Sequence, residues 1–314
     1  MNKALFAGVA ALGILATSGT AALAEWKPKG PIKLVIAFAA GGGADTQARM
    51  IAEDLQKNKG WEVLPEQITG KGGVNALAAL KGMPADGTAI AMVVTESIGY
   101  NAAAAKGAGL KPSDFTPLTT TAGFQMGIVS KSDKGWVTMN DVVAAAKGGT
   151  QIRFGTMSPK LSDLAFLLGE AQGVKFNIVQ VKGGKAVLNG VTAGDMDVGF
   201  MAGIQGKGVA SGDLANLASA LSVPLKQTPN APTLSDLGVK FNADGYFVLV
   251  APAGLPDDAR KALSDAIEAS ATSGKPSGLL RKAFGGATII KGKDLDMLVQ
   301  EDFDNAGALM NASK

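Results

Sequence analysis

Three consecutive glycines, Gly41-Gly42-Gly43, stand between an apolar run, Ile32 to Phe38, and a segment whose apolar residues Ala48, Ile51, Ala52 and Leu55 recur at helical spacing. Glycine leaves the backbone bare. The first N–H groups of a helix have no intrahelical partners and sit at the positive end of the helix dipole. Such a junction suits an anion, because backbone amides hold a carboxylate or phosphate docked there. The candidate ligand residues are therefore Phe38, Ala39, Gly41, Gly42, Gly43, Ala44 and Asp45. Four further groups follow predicted strands: Thr95-Glu96-Ser97, then Thr156, Ser158 and Ser162, then Gly183 in Lys182-Gly183-Gly184, and Met201 at the end of an apolar run. Ligands of open α/β sheets bind beyond the carboxyl ends of strands, where these groups are expected to lie.

The missing residues exclude much. With His 0 and Cys 0, a Ser-His-Asp triad, a Cys-His pair, the usual zinc sites and any disulfide are ruled out. No serine stands in Gly-x-Ser-x-Gly or three residues before a lysine, so hydrolase-elbow and lactamase-like patterns are absent. Thr46 occupies the position where a dinucleotide fingerprint after Gly41 needs glycine, and Gly72 replaces the Ser or Thr of a phosphate loop after Gly70-Lys71. The pairs Asp257-Asp258, Asp294/Asp296 and Asp302/Asp304 read as solvated helix charges rather than acid/base machinery. No catalysis, metal or cofactor is expected.

Lys+Arg 30 against Asp+Glu 27 leaves a formal charge of +3, with the basic residues scattered along the chain, which argues against nucleic acid. Lys3, the apolar stretch Ala4 to Thr17 and Ala22-Leu23-Ala24 read as a signal peptide over 1–24, cleaved before Glu25. The expected product is a soluble, monomeric, exported protein.

The elements that must position the candidates alternate as strand, loop and helix, which predicts an α/β fold with mainly parallel sheets. Expected strands include Ile32–Phe38, Glu62–Ile68, Ala89–Val94, Phe115–Thr121, Met126–Val129, Ile152–Gly155, Ile178–Val181, Asp197–Met201 and Tyr246–Ala251. Expected helices are Asp45–Lys57, Asn75–Lys81, Met139–Ala146, Ser162–Glu170, Ala186–Thr192, Asp257–Ala271 and Asp294–Ala308, with a proline-containing connector from Pro224 to Pro232. The exit of the Ile152 strand repeats the opening junction, so two junctions can face each other across a cleft.

At these residues the chain resembles the periplasmic binding receptors of tripartite tricarboxylate transporters, the Bug-type receptors. The resemblance rests on Ile32 through Asp45 with Ala48-Arg49, followed in order by Gly70-Lys71-Gly72-Gly73, Pro84-Ala85-Asp86-Gly87-Thr88, Gly194-Asp195-Met196-Asp197, Ala231 through Gly238, and Ala251-Pro252-Ala253-Gly254-Leu255-Pro256. It implies two doubly wound α/β domains with the ligand cleft between them, a type II-like Venus flytrap. Domain 1 is expected over 25–123 plus 244–314 and domain 2 over 124–243. It also implies a periplasmic receptor that is not an enzyme, captures a small mono- or dicarboxylate and delivers it to membrane permease subunits. A ligand-presenting receptor for a sensor kinase and a secreted α/β enzyme are the alternatives.

Two departures bear on the ligand. Ala44 stands where the family usually has Thr or Ser, and Thr156-Met157-Ser158-Pro159-Lys160-Leu161-Ser162 lacks the glycines and histidine of the family's second loop. Lys160 reads as an exposed lysine at a helix start, with pairing to a second ligand carboxylate as the alternative. Glu96 reads either as a solvated loop carboxylate or as the partner of a ligand amine. Phe38, Phe124 and Met126 read as core, with an apolar cleft wall as the alternative.

Overall fold

The apolar run before the glycine loop becomes β1 (Ile32–Ile36), buried at every position except Lys33. The structure is a computed structural model that describes residues 26–314; the signal peptide and the start at Glu25 lie outside the described residues. From β1 the chain passes through the glycine loop into α1 (Gly43–Lys59), then β2 (Val63–Gln67), α2 (Val74–Lys81), β3 (Ala89–Val94), two short helices α3 (Thr95–Ile98) and α4 (Tyr100–Ala104), and β4 (Phe115–Gly123). The next set is β5 (Gly127–Lys131), α5 (Met139–Lys147), β6 (Arg153–Thr156), α6 (Pro159–Gln172), β7 (Asn177–Gln180), α7 (Gly184–Ala193), β8 (Val198–Met201), α8 (Gly206–Ser211) and β9 (Leu214–Ser219). The chain closes with β10 (Tyr246–Pro252), α9 (Asp257–Ser273), α10 (Pro276–Phe284) and α11 (Gly292–Ala312).

The strands form two five-stranded sheets, ordered β2-β1-β3-β10-β4 and β7-β6-β8-β5-β9. The chain therefore leaves the first sheet between Gly123 and Gly127 and returns between Ser219 and Tyr246. Ile32, Leu34 and Ile36 face a core shared with α1 and α9, while Val35 and Ala37 face one shared with α2 and α11. Helices on both faces make the first sheet doubly wound, which explains why β3 is buried along its whole length.

The sheets are less parallel than the alternating pattern suggests. In each, two strand pairings are parallel and two, those made by β10 and by β5, are antiparallel. β5 and β10 each arrive directly from the other sheet, so no helical crossover constrains their direction. The sequence pattern also left out α4, α8, β9 and α10. Three of these four are helices of nine residues or fewer, too short for a strong helical period.

Candidate functional site

Between the two sheets lies a cavity lined by Phe38, Gly42, Gly43, Ala44, Val94, Glu96, Phe124, Met126, Met157, Gly184, Ala202, Ile204, Phe247 and Phe284. Its volume is about 50 Å³, and among the described residues that line it Glu96 alone has a polar side chain. Phe124, Phe247 and Phe284 form a continuous aromatic side, with edge-on ring pairs at 5.2 and 4.9 Å between centroids.

The glycine junction borders this space through the first turn of α1. Gly42 is the N-cap and contributes no side chain to it. Gly41 adopts φ 73°, the left-handed region that glycine occupies without strain. Its N–H donates to Asp45 Oδ2 at 2.8 Å, the Gly42 N–H donates to the Ala39 carbonyl at 3.3 Å, and Asp45 Oδ1 accepts from Arg49 Nε at 2.9 Å. Gln67 Nε2 ties the loop down further, donating to the Phe38 carbonyl at 3.2 Å and to Asp45 Oδ1 at 3.3 Å. Asp45 thus fixes the loop from behind. The amides at the front of the helix are those of Gly43 and Ala44, both on the cavity wall. A Cβ on Gly43 would stand 2.9 Å from Phe284 Cζ, so a side chain there would displace that ring.

The end of β3 supplies the next group. Thr95 Oγ1 accepts from the Tyr246 N–H at 3.1 Å, and Ser97 Oγ donates to the Gly72 carbonyl at 2.7 Å, so both hydroxyls hold the scaffold and neither residue lines the cavity. Glu96 between them points inward and is only 3 % exposed, and its Oε2 is buried with no hydrogen-bond partner among the described residues. Burial pushes its carboxyl above the usual range; the charge of Asp302 adds to that rise, and Lys160 opposes it. Lys160 is itself buried, and its Nζ donates to Asp302 Oδ1 at 3.1 Å. The exposed helix-start lysine expected from the sequence is therefore a buried ion-pair partner, held under α11, an element far away in the chain. The solvated carboxylate expected at Glu96 is likewise a buried one.

The second junction is differently made. Ser158 caps α6 by accepting from the Leu161 N–H at 3.3 Å, and Thr156 Oγ1 and Ser162 Oγ lie 2.8 Å apart in a hydrogen bond. Ser162 Oγ also reaches the Ser158 carbonyl at 3.1 Å. Ser158 also hydrogen-bonds the Glu96 carboxyl, and none of Thr156, Ser158 and Ser162 lines the cavity; Met157 does. Gly183, at φ 139°, packs against Ala39, whose N–H donates to the Lys182 carbonyl at 3.1 Å; the adjacent Gly184 lines the cavity. Met201 is fully buried within β8 beside Gly127, and the next residue, Ala202, faces the cavity.

Of the sequence-derived candidates, Phe38, Gly42, Gly43, Ala44 and Glu96 converge on one space, while Ala39, Gly41, Asp45, Thr95, Ser97, Thr156, Ser158, Ser162, Gly183 and Met201 surround or support it. Phe124 and Met126 combine core and wall. Sequence reasoning placed the loops holding Met157 and Gly184 at the cleft edge without singling out those residues, and did not point to Val94, Ala202, Ile204, Phe247 or Phe284. Phe247 sits in an expected strand, but Phe284 lies on α10, whose opening Pro276 was the available signal.

Comparison with known proteins agrees with this architecture. A family model described as tripartite tricarboxylate transporter family receptor matches residues 47–314. A protein from the TAR-I ttuE-ttuC' intergenic region of Agrobacterium vitis is 30% identical over 256 residues, covering 77% of this chain and 71% of its own length. The protein BugT of Bordetella pertussis is 29% identical over 264 residues, covering 78% of each chain. Among solved structures, the periplasmic binding protein BugD superposes with a TM-score of 0.79 at 21% identity, over 91% of this chain and 98% of that one. A Rhodopseudomonas palustris protein with adipate gives the same TM-score, 0.79, the same identity, 21%, and the same coverage, 91% and 98%. A second protein from that organism, MatC with bound malate, gives 0.78 at 20%, over 90% and 99%.

Proposed function

The chain belongs to the tripartite tricarboxylate transporter receptor family, and from that premise we propose that it is a periplasmic receptor for a small organic acid whose carboxylate is held by the backbone amides of Gly43 and Ala44. The observation that carries this reading is the meeting of the first turn of α1 with an enclosed apolar cavity. An unpaired helix N-terminus in such a low-dielectric space favours an anion more strongly than one in water. The adipate and malate of the two Rhodopseudomonas palustris structures belong to those proteins, and they support the ligand class for this one.

The domains proposed are 25–123 plus 244–314 and 124–243, matching the two passages of the chain between sheets. The second domain contributes Met157, Gly184, Ala202 and Ile204 to the cleft. Hinge closure on the acid creates the surface that a membrane permease recognises, and no substrate is turned over. Delivery to a tripartite permease is preferred to a sensor kinase on family grounds alone.

The test is a thermal-melt screen of the purified protein against mono-, di- and tricarboxylates. A binding acid raises Tm in proportion to the logarithm of its concentration above Kd and is recovered unchanged. No rise with any acid, or chemical conversion of one, contradicts the proposal.

A further inference from the structure

A receptor for simple acids has no evident use for a buried acid in its own cavity. Glu96 is the one ionisable residue on the cavity wall, and its Oε2 has no partner among the described residues. Leaving a charged oxygen dry and unpaired is costly, and the hydrogen bonds of Ser158 and Asn101 to the carboxyl, with the charge of Lys160, do not outweigh its burial. Lys160, the nearest cation acting on Glu96, is already bonded to Asp302. Ionisation of Glu96 would give this cluster of two carboxylates and one ammonium a net charge of one negative unit, which burial resists unless a further cation joins it. The other close pair there, Tyr100 with Asp163, is a phenol bonded to a carboxylate and supplies no positive charge.

From this arrangement we infer that Glu96 receives a cationic nitrogen, so that the ligand is a zwitterion with an apolar body, an amino acid or similar amino-carboxylate. This deepens the proposed receptor function and rests on it. The ligand's carboxylate meets the start of α1, its ammonium meets Glu96, and its side chain lies against Phe124, Phe247 and Phe284. Each charged end then gains the partner that the apolar wall denies it. A plain carboxylate gains the first contact but leaves the buried Glu96 carboxyl without a cationic partner. The raised affinity of Glu96 for protons agrees with a site whose natural partner is a cation that the apoprotein lacks.

Matched pairs test it. Titration calorimetry at pH 7 compares L-leucine with 4-methylpentanoate and L-phenylalanine with 3-phenylpropanoate, in the wild-type protein and in Glu96→Gln. The expected result is that the amino member of at least one pair binds about 50-fold or more tighter, consistent with a desolvated charge-assisted contact. Glu96→Gln should reduce that ratio to within about fivefold of unity, with an apoprotein Tm no lower than wild type, since it removes a buried charge. Equal or tighter binding of the amine-free acids overturns the zwitterion inference and leaves the carboxylate receptor standing. An unchanged ratio in Glu96→Gln shows that another group selects the amine and overturns the role of Glu96. If no amino or amine-free acid binds here or in the wider carboxylate screen, both readings fail.

Discussion

The two strand-to-helix junctions bordering the cleft, at the ends of β1 and β6, look alike in outline and differ in where their polar groups are used. At the first, the side-chain work is done behind the loop. Asp45, Arg49 and Gln67 hold Gly41 and Phe38, and the front of α1 presents backbone alone. At the second, Thr156 and Ser162 bond each other, Ser158 serves the start of α6 and the Glu96 carboxyl, and only the side chain of Met157 reaches the cavity. A junction with its polar groups satisfied serves as a wall; one that leaves amides unsatisfied serves as an anion seat. In the proposed clamp the two halves therefore take unequal parts, one presenting backbone amides and the other an apolar wall.

The largest expected effect comes from obstructing the first junction. Gly42 has φ −77° and ψ 172°, a conformation open to any residue, so Gly42→Leu should fold while its side chain crowds the approach to the α1 amides. Affinity for whichever acid raises Tm most should fall about 100-fold or more, about 2.7 kcal/mol. Calorimetry that finds wild-type affinity in a folded Gly42→Leu would reduce the loop to a turn.

A second prediction concerns stability in the other half, where strands β6 and β8 are tied at their far end by Asp197. Burial would raise this carboxyl, but hydrogen bonds from Arg153 and Lys134 outweigh it and hold it at about 2. A carboxylate whose native pKa is depressed stabilises the fold above its unfolded value and loses that contribution as pH falls. Its share, roughly 2 kcal/mol, is present at neutral pH and lost between about 3.8 and 2. Urea unfolding of Asp197→Asn at pH 7 should show a loss of about that size, with ligand affinity little changed. Glu96 has the opposite sign: its raised pKa makes the ionised form a cost that grows as pH rises above the ordinary carboxyl value of 4.5.

The smallest effect sharpens the contrast most. Ser158→Ala removes the cap of α6 and should cost about 1 kcal/mol of stability. That hydroxyl serves Leu161 and the Glu96 carboxyl and does not line the cavity, so affinity for an amine-free carboxylate should hardly move. A large loss of affinity with intact stability would show that the second junction also grips the ligand.

Much of the first half of this asymmetry could be read from the chain. Glycines between an apolar run and a helical period, with Asp45 in the first helical turn, are local signals, and local signals survive folding. The burial of Glu96 and Lys160 could not be read, because it depends on Asp302 of α11 and Asn101 of α4, which come together only in the tertiary structure. For the same reason Phe284, on an unexpected short helix, reached the aromatic wall without warning. The Thr156 to Ser162 loop shows a further limit: serines at a helix start have the same residue types whether they cap the helix or bind a ligand, and only the hydrogen-bond partners distinguish the two.

The most direct test of the unequal clamp is to follow backbone amide resonances of 15N-labelled protein as the best-binding acid from the melt screen is added. The account predicts downfield shifts at Gly43 and Ala44, as their N–H groups acquire a charged acceptor, with little change at Leu161 and Ser162. Shifts confined to Leu161 and Ser162, with Gly43 and Ala44 unmoved, would contradict it.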